Sequence, residues 1–241
     1  MTIDQAMILA AGFGTRLRPF TDNLPKPLLE INGKTLIARH LDKLAAIGVT
    51  RVLINVAYLG DKIKASIGNG ERWGIAITYS TEPETEPLDT GGAVGKVLKW
   101  FDNKPFIIVA ADIWTEYDFA QLKSLDAEEM GHLLLAKKPH WASKSDFTLD
   151  DDNILSSDDQ GDYTFAGIGI MHPQLWQNQY EQRYPITKVL AGPLANRAIS
   201  GSLCGQSWFN IGCINRLREL CEHLDITTAD TNYHQVCDNK P

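Results

Sequence analysis

No stretch of this chain stays apolar long enough to cross a bilayer. The longest such runs, Phe106–Ala111 and Leu133–Ala136, fall far short of the roughly 20 residues a spanning helix needs. Basic charge is in deficit. Lysine and arginine number 23 against 30 aspartates and glutamates, a net charge of −7, which argues against a general nucleic-acid binder with a basic face. Cysteine is scarce: Cys204, Cys213, Cys221 and Cys237 form no CxxC pair and no zinc-ligand spacing. Cys213, Leu217 and Cys221 recur instead at helical spacing, as on one buried stripe. The six histidines show neither HxxxH nor HExxH. A signal peptide is also missing from the first residues, where Asp4 and Gln5 precede a short apolar run that enters a glycine-rich loop. The expectation is a cytoplasmic protein with no membrane partner.

What is present is ordinary globular composition, 44% hydrophobic and 22% charged, over 241 residues, which suits one large domain better than two. Through the first half, short β-type runs alternate with amphipathic stretches. Strands are predicted at Gln5–Ala10, Arg51–Val56, Ile75–Tyr79 and Pro105–Ala111. Helices are predicted at Leu36–Ile47, ending at Gly48, and at Asp61–Ile67 and Gly92–Phe101. This order predicts an α/β fold with a mainly parallel central sheet and helices on both faces. The second half is more mixed: strands at His132–Lys137, Asp146–Leu149, Tyr163–Met171 and Gln206–Ile211, and helices at Pro173–Tyr180, Thr187–Arg197 and Ile214–Leu224. Pro193 is expected near a break or a first turn. Asp150–Asp162 is acidic but lacks the register of a calcium loop, and reads as a solvated hairpin turn. Residues 227–241 show no clear periodicity.

The informative segment is Leu9-Ala10-Ala11-Gly12-Phe13-Gly14-Thr15-Arg16-Leu17-Arg18-Pro19, followed by Pro25-Lys26-Pro27-Leu28. It leaves the carboxyl end of the first strand, where open α/β sheets bind ligands. Gly12 and Gly14 let phosphate approach the backbone amides. Arg16 can grip phosphate oxygens with two prongs, and Lys26 adds a point charge. Arg16, Arg18 and Lys26 stand against only Asp22 here, a local cationic loop in an acidic protein that suits a small anionic ligand. Two rival motifs fail. Leu17 occupies the third glycine position of a dinucleotide fingerprint, and no GxxxxGK[ST] string occurs.

With its GxGTRLxPxT and PKPL strings, the chain resembles the nucleotidyltransferase superfamily that activates sugar 1-phosphates. Within it the resemblance extends to bacterial N-acetylmuramate-1-phosphate uridylyltransferases of cell-wall recycling, through Leu88–Gly92, Asp112–Phe119 and Thr164–Ile168. The resemblance implies a single Rossmann-like domain over 1–241, with a nucleotide-binding half at 1–112, a sugar-phosphate half at 113–226 and a tail at 227–241. It implies that Leu9, Ala10, Ala11 and Gly12 meet the base through backbone, with Gly14 and Thr15 beside them, and that Glu82, Thr90 and Gly91 complete the nucleoside pocket. Arg16 and Lys26 are implied on phosphates, Asp112 on Mg2+, and Asp146, Thr164 and Gly167 on the sugar. The expected partners are a nucleoside triphosphate, UTP by resemblance, and a sugar 1-phosphate.

The implied reaction is in-line attack of a sugar phosphate oxygen on the α-phosphorus, with pyrophosphate leaving. A phosphate monoester is mostly dianionic at neutral pH, so the nucleophile needs no general base, and catalysis becomes positioning plus cationic charge. Two departures from the resembling enzymes stand out. Their Trp-x-Asp-x-Gly string reads Trp208-Phe209-Asn210-Ile211-Gly212 here, so Asn210 occupies a second metal-ligand position without a negative charge. Where many sugar-nucleotide synthases carry Glu-Lys-Pro, this chain has Ser156-Ser157-Asp158-Asp159. Alternatives are a same-fold transferase for another sugar phosphate or phosphocholine, and a catalytically silent nucleotide-binding regulatory domain. Trp114, Tyr117 and Phe119 are expected to pack rather than stack on ligand.

Overall fold

The residues Gln-Ala-Met-Ile-Leu at 5–9 are buried almost throughout, and their backbone is satisfied by strands paired on both sides. The computed structural model describes residues 3–176 and 182–226. In chain order the first half holds β1 (Gln5–Leu9), β2 (Glu30–Ile31), β3 (Lys34–Thr35), α1 (Leu36–Ala46), β4 (Arg51–Val56), α2 (Gly60–Ile67), β5 (Ala76–Thr81), α3 (Asp89–Val97) and β6 (Phe106–Ala110). The second half holds β7 (Ile113–Thr115), β8 (Gly131–Lys137), β9 (Phe147–Leu149), β10 (Leu155–Ser157), β11 (Tyr163–Met171), α4 (Ile186–Ala195), β12 (Ile199–Leu203), β13 (Trp208–Asn210) and α5 (Ile214–His223).

Nine strands form one sheet in the order β10-β9-β11-β6-β1-β4-β5, with β8 and β12 branching from β11. The block β6-β1-β4-β5 is parallel throughout. β11 then runs antiparallel to both β6 and β8, so the second half turns the sheet mixed. Alternation along β1 feeds two cores. Ala6 and Ile8 meet Ile37 and Leu41 of α1 and Ile63 of α2 on one face. Met7 meets Val94 of α3 and Leu190 of α4 on the other. The helices therefore cover both faces, as the alternating pattern implies. A third cluster joins Leu217 and Cys221 of α5 to Leu17 and Trp114. Cys213 caps that helix at intermediate exposure, so the cysteine stripe is only partly buried, and Cys237 lies outside the described residues.

Local chemistry sets the element ends. Thr35 caps α1 by accepting from the Ala38 amide at 3.3 Å. Gly48, at φ 85°, lets the amides of Gly48 and Val49 reach back to the carbonyls of Ala45 and Leu44. The acidic stretch forms the β9–β10 hairpin, whose turn Asp150 closes by accepting from the amides of Asp152 and Ile154 at 3.0 and 2.9 Å. Pro193 lies inside α4, in its last turn, rather than at a first turn; the helix ends two residues later. Only Pro173–Trp176 of the helix expected at Pro173–Tyr180 is described, as one 3-10 turn. The expected tail at 227–241 lies outside the described residues. No described helix is long and apolar enough to cross a membrane.

Candidate active site

β1 ends at Leu9, where the chain leaves the carboxyl edge of the parallel strands. The root of the glycine-rich loop is tied on both sides: the Leu9 carbonyl accepts from the Ala111 amide at 3.0 Å, and the Ala10 amide donates to Asn55 Oδ1 at 2.9 Å. Asn55 is held in turn. Its Nδ2 donates to Glu82 Oε1 at 2.7 Å, and Glu82 Oε2 accepts from the Leu88 amide at 2.8 Å. Asn55 and Glu82 are each 3% exposed, so this relay is a buried, charge-assisted brace that sets the height of Ala10. The brace spends both Glu82 oxygens on protein donors. Asn55 was not among the residues singled out from sequence. Its signal is an amide inside the apolar run Val52–Val56, where a polar side chain must find a partner.

The loop opens onto a cavity of about 420 Å³. Residues 9–16 line it, with Lys26, Pro27, Asn55, Glu82, Pro87, Asp89, Thr90, residues 110–112 and Gly212. Of the positions assigned to nucleotide from sequence, all but Gly91 meet here. Gly12 faces open space, since a Cβ built there would find no protein atom within 4 Å. Gly14 has φ 66°, and its carbonyl accepts from the Thr21 hydroxyl at 2.7 Å, which folds the loop toward Lys26. Gly91 instead faces Tyr184, whose ring would stand 2.5 Å from an added Cβ, and its carbonyl takes the Trp176 indole N–H at 2.9 Å. Its role is to let α3 approach the 182–185 segment.

Charge is concentrated at one end of the cavity. Lys26, 8% exposed, donates through Nζ to Asp112 Oδ2 at 2.5 Å. Arg16 lies against Gly212, where an added Cβ would come within 3.4 Å of Nη2. Pairing of β7 with β13 brings Asn210 opposite Ile113, and the Ile211 amide donates to the Asp112 carbonyl at 2.9 Å. Asp112, just before β7, and Asn210, at the end of β13, are thus neighbours from segments far apart in sequence.

A second cavity of about 780 Å³ adjoins this wall through Asn210. Its polar side carries Ser145, Asp146, Ser156, Ser157, Asp159 and Thr164, and its apolar side is α4, with Ile186, Leu190 and Leu194. Asp146 accepts from the Thr164 hydroxyl, and from the Phe165 amide at 3.0 Å. Gly167 lines neither cavity. It sits at φ 76° where the β11 register shifts, with Ile113 and Ala110 too close for a side chain. Trp114, Tyr117 and Phe119 are buried and also line neither cavity. The α4 wall was not anticipated, because apolar residues at helical spacing give no sign of facing a cavity rather than a core.

A nucleotidyl transferase family model matches residues 5–147, which is more than half of the sequence. The chain belongs to the nucleotidyl transferase family. An N-acetylmuramate alpha-1-phosphate uridylyltransferase of Neisseria meningitidis serogroup B is 36% identical, covering 89% of this chain and 96% of that protein. One of the same name from Caulobacter vibrioides is 31% identical over 86% of this chain and 91% of its own length. The inositol-1-phosphate CTP transferase of T. maritima superposes with a TM-score of 0.75 at 16% identity, over 93% of this chain and 95% of that one, which shows the shared fold. As a member of this family the chain is an enzyme, a sugar-1-phosphate nucleotidyltransferase.

Proposed function

We propose that this family member transfers the uridylyl group of UTP to N-acetylmuramate 1-phosphate, releasing pyrophosphate, with Mg2+ as its cofactor and in the cytoplasm, where the triphosphate pool resides. The observation that carries the reading is the pairing of two cavities across the Asn210–Gly212 turn. The smaller gathers the glycine loop, Arg16, Lys26 and Asp112; the larger offers hydroxyls, carboxylates and an apolar helix face. A charged polyphosphate suits the first, and a polyhydroxyl ring with an acyl group suits the second. The choice of uracil and of this sugar rests on the names of the two relatives.

The residues divide the work as follows. Amides of the loop at 10–14 border the triphosphate, and the missing side chain at Gly12 leaves room for close approach. Arg16 and Lys26 offset the charge that moves onto the pyrophosphate as it leaves. Orientation does the rest, because the acceptor phosphate is already a dianion near neutrality.

Asp112 and Asn210 fit a magnesium ion in chemistry. They offer hard oxygen donors from the turn before β7 and from β13, Asp112 with one oxygen on Lys26, and no cluster of three acidic, histidine or cysteine side chains exists among the described residues to form a full cage. Magnesium bound by few protein oxygens would take its remaining ligands from water and substrate, so these two residues would be enough to hold it. Held there, it would supply positive charge to the phosphates of the nucleotide. Asn210 lacks the charge of a carboxylate, so it would hold the ion weakly before nucleotide arrives.

The test is pyrophosphate release from purified protein with UTP and a panel of N-acetylmuramate 1-phosphate, other sugar 1-phosphates and phosphocholine. N-acetylmuramate 1-phosphate should give the highest kcat/KM. A higher value for any other acceptor, or for another triphosphate, refutes the assignment.

A further inference from the structure

The larger cavity poses an electrostatic problem. Its lining includes Asp146 and Asp159 and, among the described residues, no lysine or arginine. A sugar 1-phosphate entering there carries close to two negative charges. Arg16 and Lys26 line the smaller cavity, and Lys26 is engaged with Asp112. A cation for the acceptor must come from elsewhere.

Arg216 has the features of that cation. It lies in the first turn of α5, four residues beyond Gly212, and its amide donates to the Cys213 carbonyl at 3.1 Å. The Asn210–Gly212 turn is the seam between the cavities, Asn210 lining the larger and Gly212 the smaller. The Arg216 side chain is only 13% exposed, and its Nη1 is buried without a hydrogen-bond partner. The nearest carboxylate oxygen, Glu219 Oε2, is 3.8 Å away, too far for a hydrogen bond. Burial lowers the Arg216 pKa from its ordinary value, against the raising effect of the Glu219 carboxylate. The Arg216 guanidinium carbon lies 3.2 Å from the Trp141 ring centroid. Trp141 belongs to the loop that continues into Ser145 and Asp146 of the larger cavity. A guanidinium buried with an unmade hydrogen bond is costly, and the cost is recovered when an oxyanion completes it.

The geometry points to Arg216 as the acceptor-phosphate receptor of this enzyme: its guanidinium turns from beneath Trp141 to the seam and takes the phosphate of the sugar 1-phosphate. Trp141 is 45% exposed, so the ring itself is not locked in the core, and the phosphate contact has to offset the ring contact that Arg216 leaves. The stretch Ser156-Ser157-Asp158-Asp159 beside the larger cavity supplies no cation of its own. This inference rests on the transferase reading above and refines its acceptor side.

The test compares wild type with Arg216→Met and Arg216→Lys, each checked for folding by its thermal transition. Equilibrium binding is measured for UTP, and for N-acetylglucosamine 1-phosphate, N-acetylmuramate and inorganic phosphate on UTP-loaded protein. Arg216→Met should weaken N-acetylglucosamine 1-phosphate and inorganic phosphate about 10- to 100-fold. UTP affinity should stay within about twofold, since the triphosphate is held by other cations. Arg216→Lys, which keeps the charge and loses the planar fork, should weaken the same ligands about 3- to 10-fold, and it decides the question if the Met variant does not fold. Unchanged phosphate affinity overturns the assignment. So does a parallel loss of UTP affinity, which would place Arg216 on the triphosphate, or a loss confined to unphosphorylated N-acetylmuramate, which would place it on the sugar carboxylate. Turnover of no sugar 1-phosphate by wild type defeats the transferase reading instead, and the inorganic phosphate arm still reports on Arg216.

Discussion

Replacing Glu82 by Gln separates a brace from a ligand contact. The side chain keeps its shape, but one of the two oxygens becomes an NH2 group. In the wild type those oxygens face two donors, Asn55 Nδ2 at 2.7 Å and the Leu88 amide at 2.8 Å. Whichever way the new amide turns, it sets a donor against a donor at a site 3% exposed, where water offers no rescue. Losing one charge-assisted hydrogen bond and stranding one buried donor costs about 2–4 kcal/mol. For a domain of this size that corresponds to a fall in Tm of about 4–16 °C. The loss should also reach the nucleotide, because Asn55 carries the position of the Ala10 amide. The expected pattern is a lower Tm by calorimetry without ligand, together with UTP binding weakened about 3- to 30-fold. A Glu82→Gln protein with an unchanged Tm and a large loss of UTP affinity would refute the reasoning, and would mean that the carboxylate contacts the nucleoside itself.

Three other outcomes follow from the site and its surroundings. Gly12→Ala should leave Tm within about 1 °C, since the added methyl meets no protein atom, while raising the UTP Kd at least about tenfold by filling space the ligand needs; unchanged binding would show that ligand does not approach there. Asn210→Asp should lower the magnesium concentration at half-maximal rate several-fold and strengthen Mg2+ binding measured calorimetrically without nucleotide; an unchanged requirement would remove Asn210 from the metal. His40 is fully buried, and burial, only partly offset by the Ile113 backbone, pushes its pKa down to about 4. The unfolded chain takes up this proton near pH 6.5 and the folded chain only near 4, so stability should fall as pH drops through that window, by about 3 kcal/mol. Denaturant titrations of wild type and His40→Leu should diverge in pH dependence across pH 6.5 to 4; parallel curves would show that the ring is not held neutral.

Legibility of the chain followed the physical strength of its signals. The parallel block was readable because β1, β4 and β6 are short apolar runs spaced by amphipathic helices, and period and length decide such cases. The strand edges shifted by a residue or two, as hydrogen bonding rather than hydrophobicity sets them. β12 went unrecognised: Ile-Ser-Gly-Ser-Leu has little β character of its own, and it becomes a strand by pairing in parallel with the apolar β8. β10 was hidden in an acidic segment for the same reason. At the site, residues whose chemistry is carried by type and spacing, such as Arg16, Lys26 and Asp112, were legible. Asn55 and the α4 wall were not, because their part depends on which face of an element meets the cavity. Gly91 and Gly167 show the converse: each looked like a ligand contact in its string, and each allows two protein segments to approach.

The chain moves the nucleotidyl group of a nucleoside triphosphate, with its α-phosphorus, to a sugar phosphate. Following label from UTP carrying marked α- or γ-phosphorus, with N-acetylmuramate 1-phosphate and Mg2+, tests it most directly. The α label should appear in a UDP-sugar and the γ label in pyrophosphate, in equal amounts and only when the acceptor is present. Release of the γ label as orthophosphate, or of the α label as free UMP without the acceptor, would contradict it.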